Sequence, residues 1–220
     1  MKETKINVVY KDKNQLFTKN PKHLSGVKVY NEKIKRIKGD EYRSWMPYRS
    51  KLAAFLQKKG SIELKPDYNI LYLGAATGTT VSHISDILTE GMIYAVESSA
   101  VAMKKLIEVS KKRKNIVPIY EDAFHFEKYQ AIVPNVDFLY QDISQRNQSE
   151  IFSENTKNFL KNNSKAILMV KARSIDVALK PKDAYKKVVK DLESEGLIIN
   201  KLVDLSPYEK DHAAVIIKKI

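Results

Sequence analysis

The sequence predicts an α/β fold with a doubly wound, mostly parallel sheet and a small β-rich segment at the N-terminus. From residue 69 onward, short apolar stretches typical of strands alternate with amphipathic stretches typical of helices. The stretches at residues 70–73 and 166–170 are apolar almost throughout, as expected for parallel strands covered on both faces. With 220 residues, of which 43% are hydrophobic, the chain can build one core and a small appendage.

The N-terminal segment is predicted to form short antiparallel strands, because apolar and polar positions alternate near residues 6–10, 16–18 and 27–30. We expect a subdomain at residues 1–48 and the main domain at residues 49–220. The predicted helices are residues 49–59, 81–88, 100–111, 150–160 and 181–195. The predicted strands of the main sheet are residues 69–73, 92–96, 116–119, 136–140, 166–170, 198–202 and 213–217.

Composition limits the classes of function. The net charge of +13 favours a polyanionic partner, and residues 1–60 carry 16 Lys+Arg against 5 Asp+Glu, although a solvated surface is an equally good explanation of charge alone. Cys is absent and the four His are scattered, so neither a disulfide framework nor a metal site is expected. The sequence shows no leader and no long apolar run, which predicts a soluble, cytoplasmic protein without a membrane anchor.

A small-residue turn follows the strand at residues 70–73. Gly74 and Ala75 permit close approach of a ligand, and Thr79 and Thr80 open the next helix, whose free amides favour polar or anionic groups. A glycine turn can also be purely structural, and the spacing of Gly74 and Gly78 is not that of a dinucleotide-binding motif. The turn alone is therefore a weak signal.

Acidic residues follow three strands at the same predicted sheet edge. Glu97 is placed to accept hydrogen bonds from both hydroxyls of a ribose, as in enzymes that use NAD, and Asp122 is placed to meet the exocyclic amine of adenine. Asp142 ends a further strand. Each acid alone is more often a surface residue, but three in register favour a nucleoside cofactor, and the acid at Asp122 favours S-adenosylmethionine over NAD.

The order of the motifs resembles the fibrillarin family, especially its archaeal form. The resemblance covers most of the chain. It rests on residues 41–54 (EYRSWMPYRSKLAA), 72–86, 94–97 (YAVE), 121–123 (EDA), 170–172 (VKA) and 208–213 (YEKDHA). It implies a methyltransferase fold and S-adenosylmethionine-dependent 2'-O-methylation of ribose in rRNA and possibly tRNA.

The resemblance also assigns the cofactor-binding residues. The implied contacts lie at the methionine end, the ribose, the adenine and the sulfonium side of the cofactor. The residues are, in that order, Gly74, Ala75, Thr79 and Thr80; Glu97 and Ser98; Asp122 and Ala123; and Asp142, Ile143, Ser144 and Gln145. Ser98 stands where the family usually has an aromatic residue.

The catalytic set implied by the resemblance is Lys51, Asp142, Lys171 and His212. A ribose hydroxyl is a poor nucleophile, so the reaction needs groups that remove its proton or stabilise its oxygen as negative charge develops. Lys171 is the candidate base or oxyanion stabiliser, and His212 is placed to share the proton. Taken without the resemblance, a Lys after a strand or a lone His is usually a solvated or structural residue.

Partners follow from the same resemblance. They are a box C/D guide RNA with its target RNA, a Nop-domain scaffold protein, and a kink-turn-binding subunit that resembles ribosomal proteins.

Two alternatives stay open. One is a stand-alone rRNA 2'-O-methyltransferase of the heat-shock type, which has Glu in place of His212, and the other is a non-catalytic scaffold of a ribonucleoprotein. We also expect Lys33, Lys35 and Lys38 to contact RNA backbone.

Overall fold

The computed structural model describes residues 1–6 and 8–220. The strands are β1 (Lys2–Glu3), β2 (Val9–Asp12), β3 (Gln15–Lys19), β4 (Ile34–Ile37), β5 (Asp40–Trp45), β6 (Ile70–Leu73), β7 (Ile93–Glu97), β8 (Ile116–Tyr120), β9 (Val136–Gln141), β10 (Leu160–Lys171), β11 (Ile198–Asp204) and β12 (His212–Lys218). The helices are α1 (Lys51–Gln57), α2 (Thr79–Ile87), α3 (Ala100–Lys112), α4 (Gln148–Phe159), α5 (Ala172–Ile175) and α6 (Pro181–Ser194). None of the helices in this part of the chain is long and apolar enough to cross a membrane.

The main sheet has seven strands in the order β11-β12-β10-β9-β6-β7-β8. Strands β6 to β10 pair in parallel, whereas β12 runs antiparallel to both β10 and β11. Because side chains alternate across a strand, Ile70 and Tyr72 pack in the core beneath α1, α2 and α3, while Leu71 and Leu73 pack in the core beneath α4 and α6. The predicted doubly wound, mostly parallel sheet is confirmed.

The N-terminal sheet is antiparallel and has the order β1-β2-β3-β5-β4. The predicted antiparallel, β-rich character of this segment is confirmed, but the strand expected at residues 27–30 is wrong. The carboxylate of Glu32 accepts hydrogen bonds from the amides of Val29 (2.9 Å) and Tyr30 (2.8 Å). The Glu32 side chain thus accepts the hydrogen bonds that these amides would otherwise donate to a neighbouring strand.

A buried group of charged and polar residues joins the N-terminal sheet to the main domain, and we call Glu32, Arg43, His83, Asp86 and Arg113 the interface network. The Arg43 guanidinium donates to Glu32 (2.7 Å) and to Asp86 (2.8 Å), and Arg113 also donates to Asp86. The His83 ring stacks on Trp45 with ring centroids 5.0 Å apart. Since β5 carries Arg43 and α2 carries Asp86, these contacts hold the N-terminal sheet against the main domain.

Candidate active site

The turn after β6 brings two segments of the main sheet's carboxyl edge into close contact. Gly74 has φ +81°, and a Cβ at this position would collide with the carbonyl oxygen of Asp142. The Asp142 amide in turn donates to the Leu73 carbonyl oxygen (2.9 Å). Gly74 is therefore needed both for its backbone conformation and for the approach of the chain that follows β9.

Glu97 is held in a fixed position at the end of β7. Its carboxylate accepts hydrogen bonds from the amides of Ala76 and Ser99, both at 2.7 Å. The carboxylate thus connects the turn after β6 to the start of α3. Two backbone amides hold it at the sheet edge, where a ribose was predicted to bind.

Asp122 and Gln145 connect the segments that follow β8 and β9. The Gln145 side-chain amide donates to both carboxylate oxygens of Asp122, at 2.9 and 3.0 Å. The Phe124 amide donates to the same carboxylate at 2.9 Å. Two of the predicted cofactor residues are thus brought together.

A cleft of about 390 Å³ opens between these segments, within the usual range for small-molecule sites. Its lining residues are Gly74, Ala76, Val96, Glu97, Ser98, Glu121, Ala123, Asp142, Ile143, Ser144 and Gln145. The residues that we did not predict are Ala76, Val96 and Glu121. Glu121 could have been found from the sequence, because it is a second acid directly before the predicted Asp122.

Four predicted cofactor residues do not line the cleft, namely Ala75, Thr79, Thr80 and Asp122. The Thr80 hydroxyl points away, because it is buried and donates to the Ser50 hydroxyl at 2.9 Å. Thr79 lines a separate groove next to α3. The backbone amides of these two threonines, at the N-terminus of α2, have no partner within the helix and remain available to a ligand of the cleft.

The start of α1 places Lys51 beside Asp142. Ser50 caps α1 by accepting from the Ala53 amide (3.3 Å), and its hydroxyl also accepts from the Trp45 indole (2.9 Å). Lys51 Nζ then lies 2.7 Å from Asp142 Oδ1, and both side chains are 20% exposed. The ion pair is therefore partly exposed, and its Asp142 lines the cleft.

Strand pairing brings Lys171 and His212 together, since they are directly opposite each other in the antiparallel β10–β12 pair. Side chains of opposite residues extend to the same face of a sheet. Lys171 Nζ lies 3.4 Å from the Ser144 hydroxyl of the cleft, and the Lys171 amide donates to Gln148 Oε1 at 3.0 Å. We call Lys51, Asp142, Lys171 and His212 the edge cluster.

His212 is oriented by the loop before β12. Its Nδ1 lies 2.7 Å from the carbonyl oxygen of Lys210, so Nδ1–H donates and the neutral ring carries its lone pair on Nε2. Burial, followed by the nearby charge of Lys51, lowers the pKa of His212 below its ordinary value of 6.5. The neutral ring, which can accept a proton, is therefore the main form at pH 7.

The cleft fits a nucleoside cofactor. The turn at Gly74, the fixed carboxylate of Glu97, and Gln145, which is hydrogen-bonded to Asp122, lie around one cleft at the carboxyl edge of the sheet, where α/β proteins bind such ligands. Together with the antiparallel strand β12 inserted between β10 and β11, they define a class I methyltransferase fold.

Comparisons with known proteins identify the family. The fibrillarin family profile matches residues 1–220. The chain is 46% identical over 213 residues to a fibrillarin-like rRNA/tRNA 2'-O-methyltransferase of Methanosarcina acetivorans, covering 96% of this chain and 93% of the relative. The chain belongs to the fibrillarin family.

Two solved structures are similar over nearly the whole chain. The crystal structure of a fibrillarin/Nop5p complex matches with a TM-score of 0.88 and 44% identity, covering 97% of this chain and 98% of that one. Aeropyrum pernix fibrillarin, solved with natively bound S-adenosyl-L-methionine, matches with a TM-score of 0.83 and 45% identity, covering 92% and 88%.

Proposed function

We propose that this chain transfers a methyl group from S-adenosylmethionine to a ribose 2'-hydroxyl in rRNA, and in tRNA, as the catalytic subunit of a box C/D guide RNA–protein particle. The observation that carries the proposal is the edge cluster, in which the Lys51–Asp142 ion pair and the Lys171–His212 pair lie beside the cleft. The rRNA/tRNA 2'-O-methyltransferase activity in the names of its relatives supports the same conclusion.

The proposed cofactor residues divide along the cleft. Glu97 and Ser98 would hold the ribose, and Asp122 with Ala123 would hold the adenine. The turn residues Gly74 and Ala75 and the α2 amides of Thr79 and Thr80 would hold the methionine end. Residues 142–145 would line the sulfonium side. When bound, S-adenosylmethionine supplies an electrophilic methyl group together with its leaving group.

The edge cluster supplies the proton chemistry in this proposal. His212 Nε2 takes the proton of the 2'-hydroxyl, because its neutral form dominates at pH 7. The Lys171 ammonium stabilises the negative charge that develops on the ribose oxygen. Asp142 fixes Lys51, whose charge adds to the effect of burial in lowering the pKa of His212.

The proposed partners account for substrate choice. A Nop-domain scaffold protein is supported by the similarity to the chain in the fibrillarin/Nop5p complex. We further propose that a box C/D guide RNA selects the target ribose by base pairing, and that a kink-turn-binding subunit completes the particle. The chain alone is then expected to methylate RNA poorly.

The test is methyl transfer in a reconstituted particle. Labelled S-adenosylmethionine is supplied with a guide-paired RNA whose target nucleotide carries either ribose or 2'-deoxyribose. Label is expected only on the ribose target. Equal labelling of both targets would show that the acceptor is not the 2'-hydroxyl and would overturn the proposal.

Two outcomes of the same test would favour the alternatives. Efficient methylation of RNA by the isolated chain, without guide or partners, would favour a stand-alone enzyme. Cofactor binding with no labelling under any condition would favour a non-catalytic scaffold. His212 and the family membership weigh against the first, and the intact edge cluster weighs against the second.

A further inference from the structure

A second groove, of about 460 Å³, lies on the other side of the turn that follows β6. One wall is the loop at residues 27–31, which packs beside the N-terminal sheet, and the opposite wall is α3. Thr77 and Thr79 form its end next to the cofactor cleft. We call it the basic groove, and none of its residues belongs to the edge cluster.

The charges of the basic groove are strongly unbalanced. Lys28, Arg49, Lys105 and Lys112 line it and are exposed, and no ion pair is formed by any of them within residues 1–6 and 8–220. The one carboxylate in the lining, Glu108, is already paired with Lys111 at 2.6 Å. Free cations gathered in a concave surface raise the local concentration of anions.

Arg113 adds a second, independent observation. It lines the basic groove and is only 2% exposed, and its Nη1 donates to Ser85 and Asp86. Its Nη2 is buried and has no hydrogen-bond partner in the described part of the chain. A buried donor without an acceptor is costly, and the Arg113 guanidinium adds an incompletely paired cation to the lining of the basic groove.

We propose that the basic groove binds the phosphodiester backbone of the RNA next to the nucleotide in the edge cluster. The inference rests on the proposed function, because it uses RNA as the substrate. Arg49 lines the groove and lies two residues before Lys51, and the turn after β6 forms a border of both the groove and the cofactor cleft. An RNA strand with its ribose at Lys51 therefore passes close to the groove, and each nucleotide brings one phosphate.

Lys33, Lys35 and Lys38, which the sequence analysis proposed as RNA contacts, do not line the basic groove. Lys35 is engaged with Asp12 at 2.6 Å, whereas Lys28 is free of ion pairs among the residues described. We therefore expect reversal of charge in the groove to weaken RNA binding more than reversal at Lys35.

The test measures binding of a labelled 12-nucleotide single-stranded RNA to the full chain by fluorescence anisotropy, over a range of KCl concentrations. The groove variant is Lys28→Glu with Lys105→Glu, one change on each wall. Lys28→Arg with Lys105→Arg keeps the charge. Lys104→Glu with Lys190→Glu is the matched control, because it changes the net charge equally at exposed positions outside the groove.

The groove variant is expected to bind about 10-fold more weakly. The negative slope of its log affinity against log salt should become shallower by about 1.4, since each lost phosphate contact removes about 0.7 from the magnitude in single strands. The arginine variant and the matched control should stay within about 3-fold of wild type. Unchanged affinity in the groove variant, or an equal loss in the matched control, would overturn the proposal.

Two further readouts keep the outcomes distinct. All variants should bind S-adenosylmethionine as wild type does, so lost RNA binding with intact cofactor binding locates the defect in the groove. If polyglutamate binding is lost while RNA binding is kept, the groove takes an acidic protein and the proposal is wrong. Failure of methyl transfer by wild type that still binds RNA through the groove would count against the proposed function alone.

Discussion

The interface network and the edge cluster both bring opposite charges within hydrogen-bond distance, but they differ in exposure. The side chains of Arg43, Glu32 and Asp86 in the network are 0% exposed, whereas Lys51 and Asp142 in the edge cluster each keep 20% exposure. The Arg43 guanidinium donates to two carboxylates and to Ser82. Arg43, Glu32 and Asp86 are therefore closed to any ligand, while the edge cluster is open to one.

This difference shows what each group of charges can do. Buried ion pairs lose hydration when the protein folds, so their net contribution to stability is small, but removal of one partner leaves an uncompensated charge. Partly exposed groups at a cleft can instead exchange water for substrate. We therefore expect damage to the network to lower stability, and damage to the edge cluster to lower activity.

The largest effect on activity is expected for Lys171→Ala in the edge cluster. Loss of the ammonium should lower methyl transfer by about 10²- to 10⁴-fold, the range for a positioned catalytic group, with stability almost unchanged. The measurement is initial rate in the reconstituted particle together with a thermal melt. Lys165→Ala, an exposed position on the same strand β10, is the control and should keep wild-type rates. A rate within 3-fold of wild type for Lys171→Ala would contradict the assignment.

For Arg43→Met in the interface network, a large loss of stability is expected instead of a direct loss of activity. Glu32 and Asp86 would lose their shared partner, and breaking a buried ion pair costs about 3–5 kcal/mol. Urea unfolding measures the loss. Arg36→Met is the matched control, because Arg36 pairs with Glu41 while 75% exposed, and such pairs contribute about 0–1 kcal/mol. Equal losses in the two variants would remove the distinction between buried and exposed pairs.

A smaller effect is expected from pH, through His83. Burial, followed by the charges of Arg43 and Arg113, lowers its pKa well below 6.5, so the unfolded chain binds a proton that the folded chain does not. Stability should therefore fall as pH drops below 6.5, by about 1.4 kcal/mol per pH unit from this residue. The comparison is urea unfolding of wild type and His83→Gln between pH 6.5 and 5. An equal slope in both proteins would contradict the prediction.

The smallest effect concerns the pH dependence of the rate. Because the pKa of His212 is lowered from 6.5, methyl transfer should already be at its plateau at pH 7 and decline only on the acid side, by less than about tenfold between pH 6.5 and 5.5. His212→Gln should remove this decline. A rate that keeps rising from pH 7 to 9 would point to a lysine as the base instead.

Most of the fold was predictable from local signals, and the exceptions have particular causes. Apolar strands such as β6 and the turn at Gly74 are visible in sequence because burial and backbone conformation restrict the residue types. The strands β4 and β5 were not predicted, and in β4 Lys35 and Arg36 break the period of two between Ile34 and Ile37. The strand expected at residues 27–30 does not form, because the Glu32 carboxylate accepts the hydrogen bonds of the Val29 and Tyr30 amides in place of a neighbouring strand. Only the folded structure reveals this contact.

The position of the strand-end acids was predictable to a similar degree. The acids at the ends of parallel strands could be placed at one edge, since the topology of such sheets brings these ends together. The inward hydrogen bond of Thr80 to Ser50 and the free donor of Arg113 depend on contacts between distant segments. No local pattern in the sequence encodes them.

The most direct test of the proposed reaction is to locate the transferred methyl group. RNA labelled by the wild-type particle is hydrolysed with alkali, which cleaves next to a free 2'-hydroxyl but not next to a methylated one. All label is expected in one alkali-resistant dinucleotide, whose position in the RNA should move when the guide sequence is changed. Label recovered in mononucleotides would mean that the methyl group is on a base, and would contradict the account.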